Sequence, residues 1–369
     1  MLASRRYADK QKGLSLVELM ISLAISSVVT LGLVEMFDAN QDTSQLLRGQ
    51  ATIGESGRFA MEMISRSVRR ANFRGCNSKR VLEGTIDTVP YEFSLDSGLR
   101  GYDGGGGSAW APDFSTTGMP RTSGSTDTDV FAPSSESGTG LNLDALENGT
   151  DVITVWFAGP EEYNVDISSQ PINTGSEAIL LDDDLSTVSE DIAQYHVALI
   201  SDCATENMFV VTDITDTSGQ AQLSHISASG IGLTQNLSPI LGTGSGYQAG
   251  ASVLPIRSHT FYIGTSSSTN KFGDPILSLF RKESLEAPVE LVEGIEDLQI
   301  LYGVDSGGEA LVPSTYVDAS LVSDWRDVIA VRLELTANSI EDVGTSDSDG
   351  ILRRTFTQTV RLRNRLKRE

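Results

Sequence analysis

The chain has 369 residues, 27 Lys and Arg against 50 Asp and Glu, and a formal net charge of −23. That length accommodates one to three domains with a real core, and its 39% apolar content lies above the disordered range. The acidity argues against nucleic acid as a partner, because phosphate contacts need clustered cations. There are two cysteines, Cys76 and Cys203, and three histidines, His196, His225 and His259. A zinc site of four cysteines, or of two cysteines and two histidines, cannot be assembled within 76–203.

The first thirteen residues carry Arg5, Arg6, Lys10 and Lys12 against Asp9. An apolar run follows from Leu14 to Val34, long enough as a helix to span about 32 Å, the thickness of a bilayer core. Cations precede the run and none lies inside it, which places the N-terminus in the cytoplasm and the rest of the chain across the membrane. A secretory signal peptide competes with this reading, but FDANQDTSQLLRGQ after the run offers no small-residue cleavage site. Glu18 is out of place in a plain anchor. A carboxylate at the centre of a span costs roughly 2.5–3.5 kcal/mol, less near its edge. It either snorkels to the headgroups or awaits a cationic partner on another chain.

KGLSLVELM, residues 12–20, resembles the type IV prepilin signature: a short basic leader ending in Gly, an apolar residue after it, and Glu at the fifth mature position. The resemblance implies that a prepilin peptidase cuts after Gly13, making Leu14 the methylated N-terminus and Glu18 the assembly glutamate. Leu14 departs from the Phe or Met usual in the family. GRFAMEMISRSVRRANFRGC (57–76) resembles the PilW family of minor pilins, and so do the blocks at 198–214, 292–305, 325–339 and 353–365. Membership implies a pilin fold and a minor pilin of the type IV pilus, acting in assembly initiation or at the tip. Implied partners are other minor pilins, the major pilin, the prepilin peptidase, the inner-membrane assembly platform, membrane lipid and a tip adhesin. The implied location is the inner membrane, with a periplasmic domain, and then the pilus. The alternatives are a minor pseudopilin of a type II secretion system and, in another class, a membrane-anchored periplasmic enzyme.

Four segments are expected: a leader at 1–13, a transmembrane helix at 14–37, an amphipathic helix at 38–76 and a β-rich domain at 77–369. Leu46, Ile53, Ala60, Ile64 and Val68 recur at helical spacing and form one face. The rod is expected to run to about Asn72. Gly49, Gly54 and Gly57 weaken it and mark either a bend or a close approach. Arg58, Arg66, Arg69, Arg70 and Arg74 form a basic band, either a solvated face or a docking stripe.

Residues 94–150 contain 27 Gly, Ser or Thr in 57 positions and are expected to form a surface excursion with a short strand or two. Strands are expected at 151–159, 196–202, 208–214, 259–265, 275–282, 296–305, 328–337 and 356–364, from alternation and β-branched or aromatic content. Residues 288–295 read as a connection or short helical turn. One helix and a largely antiparallel β domain make the fold α+β.

No catalytic, cofactor or metal site is expected. Gly104–Gly107 has no helix pattern after it, GTGSG (242–246) reads as a turn, and DSDG (347–350) is a fragment of a calcium loop. Asp182, Asp183 and Asp184 read as a solvated turn, and His196 and His259 as structural histidines. Cys76 and Cys203 both fall on the non-cytoplasmic side, where disulfides persist, and are expected to pair; two buried free thiols are the alternative. N-terminal mass analysis of membrane-extracted protein is expected to begin at Leu14, methylated. A start near residue 40 would instead mark an ordinary signal peptide.

Overall fold

A single helix, α1 (Leu16–Arg70), runs through nearly all of the first 70 residues. The computed structural model describes residues 15–76, 82–84, 97–105, 110–111, 146–166, 178–194, 196–203, 205–226, 247, 250–284, 286–305, 312–345 and 349–364. From Leu16 to Phe37 the large apolar side chains of α1 are all more than half exposed. Burial begins at Gly49 and recurs at Ile53, Gly57, Ala60, Ile64 and Val68, the three- and four-residue spacing of one face. The helix stops at Arg70, short of the expected end. Asn72 takes a left-handed φ of 59°, and its N–H donates to Trp156 O at 2.8 Å. The chain from there to Cys76 is turn.

The first strands are β1 (Leu82–Gly84), β2 (Leu99–Tyr102), β3 (Val152–Ala158), β4 (Tyr163–Asn164) and β5 (Ile179–Leu180). After the short helix α2 (Leu185–Val188) come β6 (Val197–Ser201), β7 (Glu206–Val210), β8 (Asp213–Thr217), β9 (Gln220–Ser224) and β10 (Ser252–Thr269). The last are β11 (Pro275–Glu283), β12 (Val289–Glu293), β13 (Ile295–Val304), β14 (Thr315–Val317), β15 (Val328–Asn338) and β16 (Arg353–Arg361). A nine-stranded sheet holds the path β1-β7-β6-β10-β11-β12, with β2, β3 and β4 attached through β10 and β3. A four-stranded sheet runs β14-β13-β15-β16 and a three-stranded one β5-β9-β8. All the pairings are antiparallel except β1 with β7. With α1, this is an α+β fold.

β10 joins two cores. Its first four residues pair with β6, and from Ile256 onward it pairs with β3 and then β11. In the first core, Ile53, Ile64 and Val68 of α1 meet Ile153, Val155 and Phe157 of β3, Leu298 and Ile300 of β13, and Leu333 and Leu335 of β15. The second gathers Tyr163, Ile179, Ile200, Phe209, Leu223 and Val253. It belongs to residues 159–255, inserted between the paired strands β3 and β10. At the base of this insertion Gly159 N–H donates to Pro255 O at 2.6 Å. From Thr122 to Ile256 the sequence contains no Lys or Arg, so the insertion is uniformly anionic.

Several expectations change. Residues 288–295 contain a strand, β12, because Leu279 and Phe280 of β11 supply a ladder for Val292 and Glu290. The expected strand at 208–214 splits into β7 and the start of the hairpin β8–β9, whose mostly exposed positions hide its periodicity. The expected strand at 259–265 is the middle of β10, which runs 18 residues. Inside the Gly-rich stretch, Leu99 and Tyr102 are fully buried on β3, so that part is core and not surface excursion. Residues 112–145 lie outside the described residues.

The helix glycines separate by role. A Cβ on Gly57 would lie 2.2 Å from the Phe356 ring and one on Gly49 would lie 3.1 Å from Val343, so both mark close approach of β-domain side chains. A Cβ on Gly54 meets nothing within 4 Å. Gly57→Ala should therefore lower unfolding free energy by about 1–3 kcal/mol through overpacking. Gly54→Ala should raise it by about 0.8–1 kcal/mol through helix propensity. Urea unfolding of the detergent-solubilised chain checks both signs.

Candidate assembly site

Two regions of α1 carry the residues of interest. The first is its N-terminal half. Among the described residues nothing covers the apolar surface from Leu16 to Phe37, and this is the one helix long and apolar enough to cross a membrane. Glu18 lies in its first turn. Its carboxylate accepts from the Ser15 backbone N–H at 3.5 Å, on an exposed surface. Glu18 thus has an intrachain partner, one that apolar neighbouring side chains do not suggest: an unpaired amide of the helix's own first turn. That bond is long and leaves carboxylate capacity for a second donor. Gly13 and Leu14 lie outside the described residues.

The second region is the junction of α1 with the β domain. Cys76 and Cys203 form a disulfide with Cα atoms 5.3 Å apart. Two residues before Cys76, the buried Arg74 donates from Nη1 to Glu206 Oε1 at 3.1 Å and from Nε to Asn72 Oδ1 at 3.1 Å. Cys203 lies in the β6–β7 connection and Glu206 begins β7. One turn of chain after α1 is therefore fixed to one hairpin of the insertion by a covalent bond and a buried ion pair. Burial pushes the Glu206 carboxyl up, and the Arg74 guanidinium opposes that shift. Asn72 Nδ2 donates to Asn364 O at 2.9 Å, and Asn364 Nδ2 returns a bond to Ala71 O at 3.2 Å, which ties the end of α1 to the chain after β16.

The expected basic band is dispersed by this packing. Arg74 is buried in its ion pair, and Arg70 stacks over the Phe157 ring at 4.1 Å. Arg66 makes an exposed contact with Glu62 at 3.8 Å, and Arg58 faces solvent. Helical periodicity assigns a residue to a face of α1 but not to its contacts after Ala71, where the chain turns inward.

A further charged group joins α1, the insertion and the sheet. Arg257 on β10 pairs with Asp191, with Glu161 at 3.5 Å and with Glu283 at 2.8 Å. His259 Nδ1 lies 2.8 Å from Ser67 Oγ on α1, and its Nε2 lies 3.5 Å from Glu283 Oε2. The proton belongs on Nε2, so that His259 donates to Glu283 and accepts from Ser67. Burial holds His259 below the usual imidazole range. His259 and then Arg257 pull the Glu283 carboxyl down to about 2. His259 is thus structural and couples helix to sheet, but from the middle of a strand and not its start.

The other candidates make local contacts. His196 accepts from Ala193 N–H at 3.3 Å, and His225 packs edge-on to Phe209. Asp184 caps α2 by accepting from Thr187 N–H at 2.9 Å. Asp349 is engaged by Arg353 at 2.7 Å. Among the described residues no three His, Cys, Asp or Glu side chains converge on a possible metal site. The GTGSG segment lies outside the described residues.

Comparison with known families gives two matches. Residues 260–349 match the profile described as type IV pilus-assembly protein W, PilW, and residues 9–34 match the prokaryotic N-terminal methylation motif. No curated protein and no solved structure matches the chain. The PilW match covers the blocks at 292–305 and 325–339 and not those at 57–76, 198–214 or 353–365.

Arg74→Ala should cost about 3–5 kcal/mol, because it strands the Glu206 carboxylate in the interior. The double replacement Arg74→Met with Glu206→Leu should recover most of that loss. Urea unfolding of the oxidised protein measures both. Equal losses in the single and double variants would mean that the pairing is not what matters there.

Proposed function

Given that the chain is a PilW-like minor pilin of the type IV pilus, we propose that it joins the inner-membrane complex that starts or caps a fibre. The observation that carries this reading is one continuous helix whose first half is bare and apolar and whose second half is buried in a β domain. That division suits a subunit stored in the bilayer and extracted into a helical bundle without refolding. The membrane anchor and the attached soluble domain follow from the helix and the methylation motif; the periplasm, and then the fibre, are where we place that domain. Its role is structural, not catalytic.

In this reading the prepilin peptidase cuts between Gly13 and Leu14. Glu18 then exchanges the weak bond to its own Ser15 N–H for the free amine of a neighbouring subunit's first residue. A charge-assisted bond in a low-dielectric bundle is stronger than a neutral one to a backbone amide. The exchange is available only in the assembled bundle, which couples removal of the buried-charge penalty to assembly. Partners are other minor pilins, the major pilin and the assembly platform, with a tip adhesin in the same complex. The Cys76–Cys203 bond, closing 127 positions, holds the domain on its helix while the helix is pulled, adding about 2–5 kcal/mol in the oxidising compartment.

Glu18→Ala should leave membrane insertion and leader cleavage intact, weaken co-purification with other pilins and reduce piliation. Counting surface pili in a deletion strain complemented with each variant is the test. Wild-type pilus numbers with Glu18→Ala, alongside loss with Gly13 substitutions, would make the carboxylate a passive headgroup-seeking side chain. Piliation unaffected by the deletion itself would overturn the whole assignment.

A further inference from the structure

β16 ends the four-stranded sheet, and among the described residues no strand pairs with its outer edge. Two bonds fix which of its backbone groups face that edge. Leu362 N–H donates to Ile329 O at 3.0 Å and Ser339 N–H to Leu352 O at 2.9 Å, one bond at each end of the ladder with β15. Bonded and non-bonded residues alternate along an antiparallel strand. Arg354, Phe356, Gln358 and Val360 therefore bond β15, while Arg353, Thr355, Thr357, Thr359 and Arg361 turn N–H and C=O outward. Side chains alternate in step. Phe356 meets Gly57, and Gln358 Oε1 accepts from Ser65 Oγ at 3.0 Å, so that face is fixed on α1. Thr355, Thr357, Thr359 and Arg361 are exposed.

This edge lacks two of the devices that usually blunt one and keeps a third, charge. It has neither proline nor bulge over nine residues. It does have cations. Arg361 and Arg363 are exposed and form no ion pair among the described residues, whereas Arg353 is held by Glu296 and Asp349, both at 2.7 Å, and Arg354 lies over the Phe356 ring at 5.0 Å on the α1 side. In a chain of net charge −23 this is a local reversal of sign. Like charges directly opposite one another destabilise a strand pair, and opposite charges favour it. Two β16 edges repel each other, and a neutral strand gains nothing from the flanking arginines.

We propose that the outer edge of β16 receives an extended acidic segment of another protein, added as a strand beside Thr355–Arg361, with its carboxylates on Arg361 and Arg363. The outward N–H and C=O groups of Thr355, Thr357 and Thr359 supply the ladder, and the arginines select the sign of the partner. The proposal stands on the ladder and the charges and does not depend on the pilus assignment.

Amide hydrogen exchange on the full chain in neutral detergent tests it. The probe is a capped peptide of about nine residues with Asp at every second position and Val or Thr between, compared with the same peptide carrying Lys in place of Asp. The Asp peptide should slow exchange at Thr355, Thr357 and Thr359 about tenfold or more and the Lys peptide should not, since only added hydrogen bonds protect edge amides. Thr357→Pro removes one outward N–H without touching the β15 ladder and should abolish the effect. Arg361→Glu with Arg363→Glu should abolish it with the edge intact, and keeps the test decisive if the proline variant fails to fold. No protection by either peptide, or equal protection by both, overturns the proposal. So does protection without peptide: an effect rising with protein concentration would make the occupant a second copy, and a constant one a segment of this chain.

Discussion

α1 keeps its backbone hydrogen bonds without interruption from Leu16 to Arg70 while its surroundings change completely along that length. A helix is one of the few structures whose main chain is satisfied equally in hydrocarbon, in water and against a sheet. Only the side chains need to change with the environment. Up to Phe37 they are mostly apolar and lie on every side of the helix, with Glu18 and Glu35 the charged exceptions. From Gly49 they are apolar on one face, and that face narrows to glycine where Phe356 and Val343 close on the helix. The order of the β domain depends on that second half. β3, β12, β15 and β16 all pack on it, and the residues just after it carry the disulfide and the Arg74 ion pair.

The insertion between β3 and β10 would otherwise be attached only at its base. Its core is separate from the helix-bearing one, and its charge is all of one sign apart from its histidines. Three features anchor it. β10 runs through both cores as one strand. Cys203 and Glu206 lock onto Cys76 and Arg74. Arg257 bridges Glu161 and Asp191 of the insertion to Glu283 of β11. Among the chain's cations Arg74 and Arg257 are joints, and Arg361 and Arg363 line an edge, which gives a strongly acidic chain a locally basic surface.

Glu18 lies at the opposite end of α1 from these joints. Glu18 in the described chain has only a long bond from Ser15 N–H. A carboxylate so weakly engaged at the start of a bare apolar helix keeps capacity for a stronger donor.

Much of this was legible in the chain as a string. Leader charge, a long apolar run and Glu18 depend on composition and spacing, which do not require folding to be read. The heptad-like spacing of Ile53, Ala60, Ile64 and Val68, and the β-branched alternation of β3, β13 and β15, are local signals of the same kind, and the two cysteines left a single possible pair. Other features depended on contacts between distant residues. β12 is a strand because β11 lies beside it, although Pro288 and its glutamates read as a connection. Leu99 and Tyr102 are core because β3 pairs with them, although their neighbours are glycine and serine. Gly57 is constrained by Phe356, which lies near the other end of the chain. Arg70 leaves the basic band because β3 brings Phe157 under it, and Arg74 because the chain turns at Asn72 toward Glu206. Periodicity determines which way a side chain points from its own element, whereas what it meets there is decided only when the rest of the chain has closed around it.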